Sequence, residues 1–216
     1  MWKTDVKIAF LLSIICFIAG FFVLPYQLET LQTTIPQQYD VFMETLPFSL
    51  KLLTLLSALQ LWLISWVLAF LGLRLARRTG FSFSILASIF THDKGKYRKK
   101  DVALSVFLGL LVAFIIVAAD KFYFQHVVAV LGENEPAFSW LGLITGVLYG
   151  GVFEEILLRL FFMSLFVWTF AKLFFRNNDQ IPAVVYIVAI LISSVLFAAG
   201  HLPASGQHRL SSVRLY

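Results

Sequence analysis

Five apolar runs, each near or beyond the length of a membrane-crossing helix, constrain this chain of 216 residues more than any other feature. Crossing a hydrocarbon core of ~30 Å takes roughly 20 apolar residues in helical form. The runs cover residues 8–24, 46–73, 102–119, 138–175 and 181–200, and the first three hold no charge at their centres. Hydrophobic residues make up 60% of the chain and charged ones 13%, so a water-soluble domain of this size has too little interior to hide the apolar surface. A membrane β-barrel would show segments of about ten residues alternating apolar and polar side chains, and these runs are continuous instead. The expected fold class is therefore all-α, a polytopic transmembrane helix bundle of about five spans.

Without a fixed-period repeat or low-complexity tract, residues 1–202 read as one membrane-embedded helical domain, and residues 203–216 read as a polar, basic tail. Lys3 and Lys7 precede the first run in the manner of a signal peptide. No small-residue cleavage site follows Phe21, Phe22, Val23 and Leu24, so a retained span is expected. Cys16 is the only cysteine, which rules out an intrachain disulfide and a thiolate metal cluster.

Basic residues near span ends stay on the cytoplasmic side. Residues 26–46 carry Glu29, Asp40 and Glu44 with no Lys or Arg, whereas the connection between the second and third runs holds Arg74, Arg77, Arg78, Lys94, Lys96, Arg98, Lys99 and Lys100. That connection is expected in the cytoplasm. Counting spans from it puts the N-terminus inside, residues 120–137 outside and the turn near Arg176 inside. The net charge of +5 then suits anionic headgroups, so membrane lipids are the expected partners and nucleic acid is not. The apolar stretch 81–90 within the basic connection is expected to pack against the bundle, with an interfacial or re-entrant placement as the alternative.

Ionisable side chains inside spans are expensive and usually face a bundle interior or cavity. Here they are Glu154, Glu155 and Arg159 in the fourth run and His201 at the end of the fifth, while Lys51 and Lys172 sit near span ends, where they can snorkel. Glu155 and Arg159 are i and i+4 in the favourable order and are expected to pair, with Glu154 about 100° round the helix from Glu155. Gly142, Gly146 and Gly150 form a small-residue stripe leading to Glu154, most simply read as a helix-packing surface. A hairpin centred on Asn178 sets Glu154, 24 residues before it (178 − 154), level with His201, 23 after it (201 − 178). On the fifth run Ser193 or Ser194, Phe197 and His201 share a face. A carboxylate and an imidazole around one water are the minimum for hydrolysis in a membrane cavity. They would also suit a divalent metal such as zinc, although a catalytic zinc site normally has three protein ligands.

Glu154-Glu155-Ile156-Leu157-Leu158-Arg159 reads E-E-x-x-x-R, and Phe197-Ala198-Ala199-Gly200-His201 reads F-x-x-x-H. In this order the two motifs resemble those of the CPBP intramembrane proteases, which include type II CAAX prenyl endopeptidases and bacterial proteins linked to bacteriocin processing and self-immunity. The resemblance covers residues 138–203. It implies an endopeptidase in which Glu154 activates the attacking water, His201 assists at that water, Glu155 and Arg159 brace the site, and Phe197 packs. Its substrate would be a membrane-associated peptide or lipidated protein of prenylated or leader type, and its location a bacterial inner membrane. The family also has a second histidine followed four residues on by Asn or Asp. His208 is followed by Ser212, so that motif is not carried over, and a truncated or frame-shifted, inactive product is the expectation this raises. A non-catalytic immunity or assembly factor with a structural Glu/Arg/His cluster is the alternative. A transporter would call for inverted repeats with broken helices, and Gly150-Gly151 has no counterpart elsewhere in the chain.

Overall fold

A computed structural model describes residues 2–90, 99–127, 138–176 and 180–201. Expectations about Lys94, Lys96, Arg98, most of the 120–137 connection, Asn178, and the 203–216 tail with His208 and Ser212 lie outside the described residues. Among the described residues the protein is helical without a strand. Five helices are long and apolar enough to cross a membrane, in agreement with an all-α integral membrane protein.

The elements are α1 (Trp2–Thr34), α2 (Pro36–Glu44), α3 (Leu50–Arg78), the short α4 (Ser84–Ser88), α5 (Lys99–Ala119), α6 (Trp140–Phe174) and α7 (Ala183–Gly200). The first helix runs a full ten residues beyond the apolar stretch that announces it, with Pro25 inside it, and the 26–46 connection is itself helical. Two compact units result: Met1–Ser82 with Ile144–Tyr216, and Phe83–Leu143.

In the first unit α1 and α3 meet through small side chains. Ala9, Ser13, Cys16, Ala19 and Gly20 are buried on α1, and Ala58, Ser65, Ala69, Gly72 and Ala76 on α3. Lipid tails are as apolar as Leu, so close backbone approach rather than hydrophobicity holds membrane helices together, and small residues permit it. A Cβ at Gly20 would overlap Ala58, and one at Gly72 would come within 2.8 Å of Leu160 on α6. Gly20 and Gly72 are thus the tight crossings. The Gly142–Gly146–Gly150 stripe, read as a packing surface, behaves otherwise: no atom lies within 4 Å of a Cβ added at Gly146, and at Gly150 only the Glu154 carboxylate does, at 3.5 Å.

Polar anchors fasten the same unit. Asp5 is fully buried and accepts from Arg77 at 2.7 Å, tying the start of α1 to the end of α3. Tyr186 of α7 donates to the Thr79 carbonyl at 2.7 Å and packs edge to face with Phe81, the first residue of the 81–90 stretch. Gly80 makes the turn between Thr79 and Phe81 with φ of 84°, a left-handed conformation that favours glycine. Val167 of α6 packs with Val185 and Ala189 of α7, bringing these two helices together as the hairpin their short connection predicts.

In the second unit α5 is apolar on all faces from Val102 onwards, apart from Ser105. At the start of α6, the Gly142 amide donates to the Ser139 hydroxyl at 3.1 Å, an N-terminal cap.

Candidate functional site in a cavity between α6 and α7

The fourth apolar run is too long for one perpendicular crossing, and α6 answers this without a break at Gly150-Gly151. Its middle, Gly146–Met163, is π-helical, with i→i+5 hydrogen bonds, between α-helical ends. Such wide turns are rare and concentrate at functional sites. Gly146, Gly150 and Gly151 add no side-chain bulk to resist the wider turn.

This winding changes which side chains share a face. With i→i+5 closure, Glu154 and Glu155 flank the direction in which Arg159 projects, instead of standing apart by the α-helical angle. Arg159 Nη1 lies 2.9 Å from Glu155 Oε2, as the spacing predicts. Glu154, expected on a different face, lines the same cavity as the pair. The cavity holds about 630 Å³ and is lined by Gly150, Glu154, Glu155, Leu158, Arg159 and Met163 of α6 and by Ile190, Ser193, Ser194 and Phe197 of α7. The predicted polar edge of the fifth span therefore does face this space.

His201 closes the group. Its Nε2 lies 3.8 Å from Glu154 Oε1, so the level placement deduced from the hairpin is realised. Nδ1 is 2.8 Å from the Phe197 carbonyl, and the rings of Phe197 and His201 are 4.2 Å apart. A carbonyl only accepts, so Nδ1 carries the hydrogen, and Nε2 of the neutral ring presents its lone pair towards Glu154. At 3.8 Å the two groups are too far apart for a direct hydrogen bond and close enough to touch one water together. The His201 side chain is 56% exposed and that of Glu154 22%, so the pair is reachable from outside the unit.

Lys172 lies 4.9 Å over the Trp168 ring, and neither it nor Lys51 lines the cavity. Among the described residues no three His, Cys, Asp or Glu side chains are grouped so as to hold a metal. Glu154 and His201 supply two donors where a catalytic zinc usually has three protein ligands. Sequence reasoning missed the Asp5–Arg77 pair, because Asp5 precedes the apolar run and Arg77 reads as one more topogenic charge. It also missed the apolar walls, Leu158, Met163 and Ile190, which nothing distinguishes from other span residues.

No curated protein and no solved structure matches this chain. Residues 136–214, which contain Glu154, Glu155, Arg159 and His201, match the family model described as type II CAAX prenyl endopeptidase Rce1-like. Over this region, which is less than half of the chain, the sequence is similar to the type II CAAX prenyl endopeptidases.

Proposed function

We propose that the protein is an intramembrane endopeptidase that hydrolyses a peptide bond of a membrane-associated, prenylated or leader-type substrate with a water activated by Glu154. The observation that carries this reading is the approach of His201 to Glu154, a residue that lines an open cavity in the membrane-embedded unit. Glu154 takes the proton from the water as it attacks the scissile carbonyl, and later returns it to the leaving amine. His201 holds the water through Nε2, its ring fixed by the Phe197 carbonyl. Arg159 neutralises Glu155, so that the added negative charge of a second carboxylate does not oppose ionised Glu154. The enzyme resides in a bacterial inner membrane with its N-terminus in the cytoplasm, as the basic connection after α3 supports.

The test is cleavage of a panel of membrane-presented peptides by the purified chain in detergent. The unaltered protein should cleave at least one peptide, and Glu154→Gln and His201→Ala should lose that activity while keeping their helical circular dichroism. Undiminished cleavage by folded Glu154→Gln would refute the assignment. Silence from the unaltered chain over the whole panel would favour the reading of a non-catalytic immunity or assembly factor.

A further inference from the structure

Two adjacent serines on α7 stand in different surroundings. Successive residues of an α-helix turn by about 100°, so Val185, Ala189 and Ser193 form one row, and Ile190, Ser194, Phe197 and His201 form another, within about 60° of arc. The first row is buried, and its Val185 and Ala189 pack on Val167 of α6. The second row is exposed, and its Ile190, Ser194 and Phe197 line the cavity that holds Glu154 and Arg159. His201 ends this row, with its ring against that of Phe197 and its Nε2 3.8 Å from Glu154.

Serines inside helices ordinarily return the hydroxyl to a carbonyl three or four residues back. This chain follows that habit at Ser13, Ser65 and Ser105, which donate to the carbonyls of Phe10, Trp62 and Asp101. Ser194 makes no such bond among the described residues. Hydrocarbon offers a hydroxyl no partner, so in a span a serine that turns away from its own helix depends on what enters the cavity. Seven residues separate Ser194 from His201 (201 − 194), a rise of about 10 Å along one side of α7. An extended peptide advances about 3.3 Å per residue, so a chain lying along α7 comes level with Ser194 about three residues from a bond held at Glu154 and His201. The cavity walls contributed by Leu158, Met163, Ile190 and Phe197 are apolar, and suit an apolar substrate side chain.

Resting on the endopeptidase reading, we propose that Ser194 is a substrate-binding residue, whose hydroxyl donates to a main-chain carbonyl of an extended, apolar substrate segment about three residues from the scissile bond. The contact is to the backbone, so it selects a substrate that is extended and long enough rather than one side chain. Ser193 takes no part, because its oxygen is buried on the row packed towards α6. The neighbouring serine is thus a matched control.

The experiment has a binding arm and a cleavage arm, both with the full chain in detergent. In the first, dye-labelled peptides from the membrane-presented panel are titrated by fluorescence anisotropy against Glu154→Gln, alone and combined with Ser194→Ala, Ser194→Thr or Ser193→Ala. Ser194→Ala should weaken binding about five-fold, the worth of one neutral hydrogen bond, whereas Ser194→Thr, which keeps a hydroxyl, and Ser193→Ala should stay within about two-fold of the parent. In the second arm, nested peptides extending one to five residues to either side of a cleaved bond should show KM falling about five-fold at the third residue on one side. Ser194→Ala should remove that step with little change in kcat. Thermal unfolding without peptide is the structural control: Ser194→Ala replaces an exposed residue and should melt with the unaltered chain. Equal affinities with and without the Ser194 hydroxyl, an equal loss from Ser193→Ala, no peptide binding by any of the proteins, or a lower melting temperature for Ser194→Ala would each overturn the inference. Hydroxyl-dependent binding without any cleavage would support it while refuting the hydrolase reading, and cleavage with a KM indifferent to Ser194 would do the reverse.

Discussion

Two charged contacts in the same unit are built on opposite plans. Asp5 and Arg77, 72 residues apart in sequence and on different helices, meet at 2.7 Å and leave the carboxylate with no exposed surface. Glu154, which lines an open cavity, stands 3.8 Å from His201, and the Arg159 side chain that lines the same cavity is 73% exposed. The first contact sits where α1 and α3 are pressed together through small residues, and the second where α6 and α7 part. A charge that serves only to hold helices in register gains from close pairing and dryness. Groups that must admit a water and a peptide need room between them, and so cannot also be a clamp. The contrast fits a clamp at Asp5–Arg77 and the proposed reactive pair at Glu154–His201.

The sharpest way to break the contrast is at Glu154. Glu154→Gln is expected to lower the turnover of a cleaved peptide by ~10³-fold with little change in unfolding midpoint, because a general base is lost while the shape is kept. A variant that unfolded instead would make Glu154 a structural residue like Asp5. The converse change, Arg77→Ala, leaves the Asp5 carboxylate buried without its cation and should destabilise the protein by about 3 kcal/mol in a denaturant titration. If stability did not move, the buried pair would not be the clamp described above.

Packing offers the next test. Gly20→Val would drive a branched side chain into the Ala58 backbone and should cost about 2 kcal/mol, whereas Gly146→Ala meets nothing within 4 Å and should stay within about 0.5 kcal/mol of the unaltered protein. Equal losses at the two sites would return the Gly142–Gly146–Gly150 stripe to a packing role. Smallest of all, Arg159→Ala should change stability by less than about 1 kcal/mol, since an exposed pair gains little. Its effect should appear in the cleavage rate, where Glu155 would be left as an unneutralised charge next to Glu154.

Much of the site was legible in the sequence, for identifiable reasons. Glu155 and Arg159 are near neighbours in one helix, so their spacing predicts a contact under either winding. Glu154 and His201 are equidistant from a short turn, so counting along two antiparallel helices was enough to bring them together. What the count left out was the winding between Gly146 and Met163. An α-helical wheel separates Glu154 from the Glu155–Arg159 pair, and the wider turn puts all three on one cavity. The packing surface was misassigned for a related reason. A glycine stripe is visible as a pattern, yet it becomes an interface only if another backbone arrives, and here the arrivals are at Gly20 and Gly72.

By itself the sequence determined the number of spans, the helical class and the short list of ionisable residues that lipid would not tolerate without purpose. These are local properties, set by side-chain transfer energies and by the thickness of a hydrocarbon core. Tertiary structure alone decided which small residues interlock, that Asp5 belongs to Arg77, and that Glu154 and Ser194 line one cavity. In lipid, apolar surface gains nothing by choosing one helix over another. Partners are therefore selected by shape and by the satisfaction of polar groups, and both exist only once the helices are side by side.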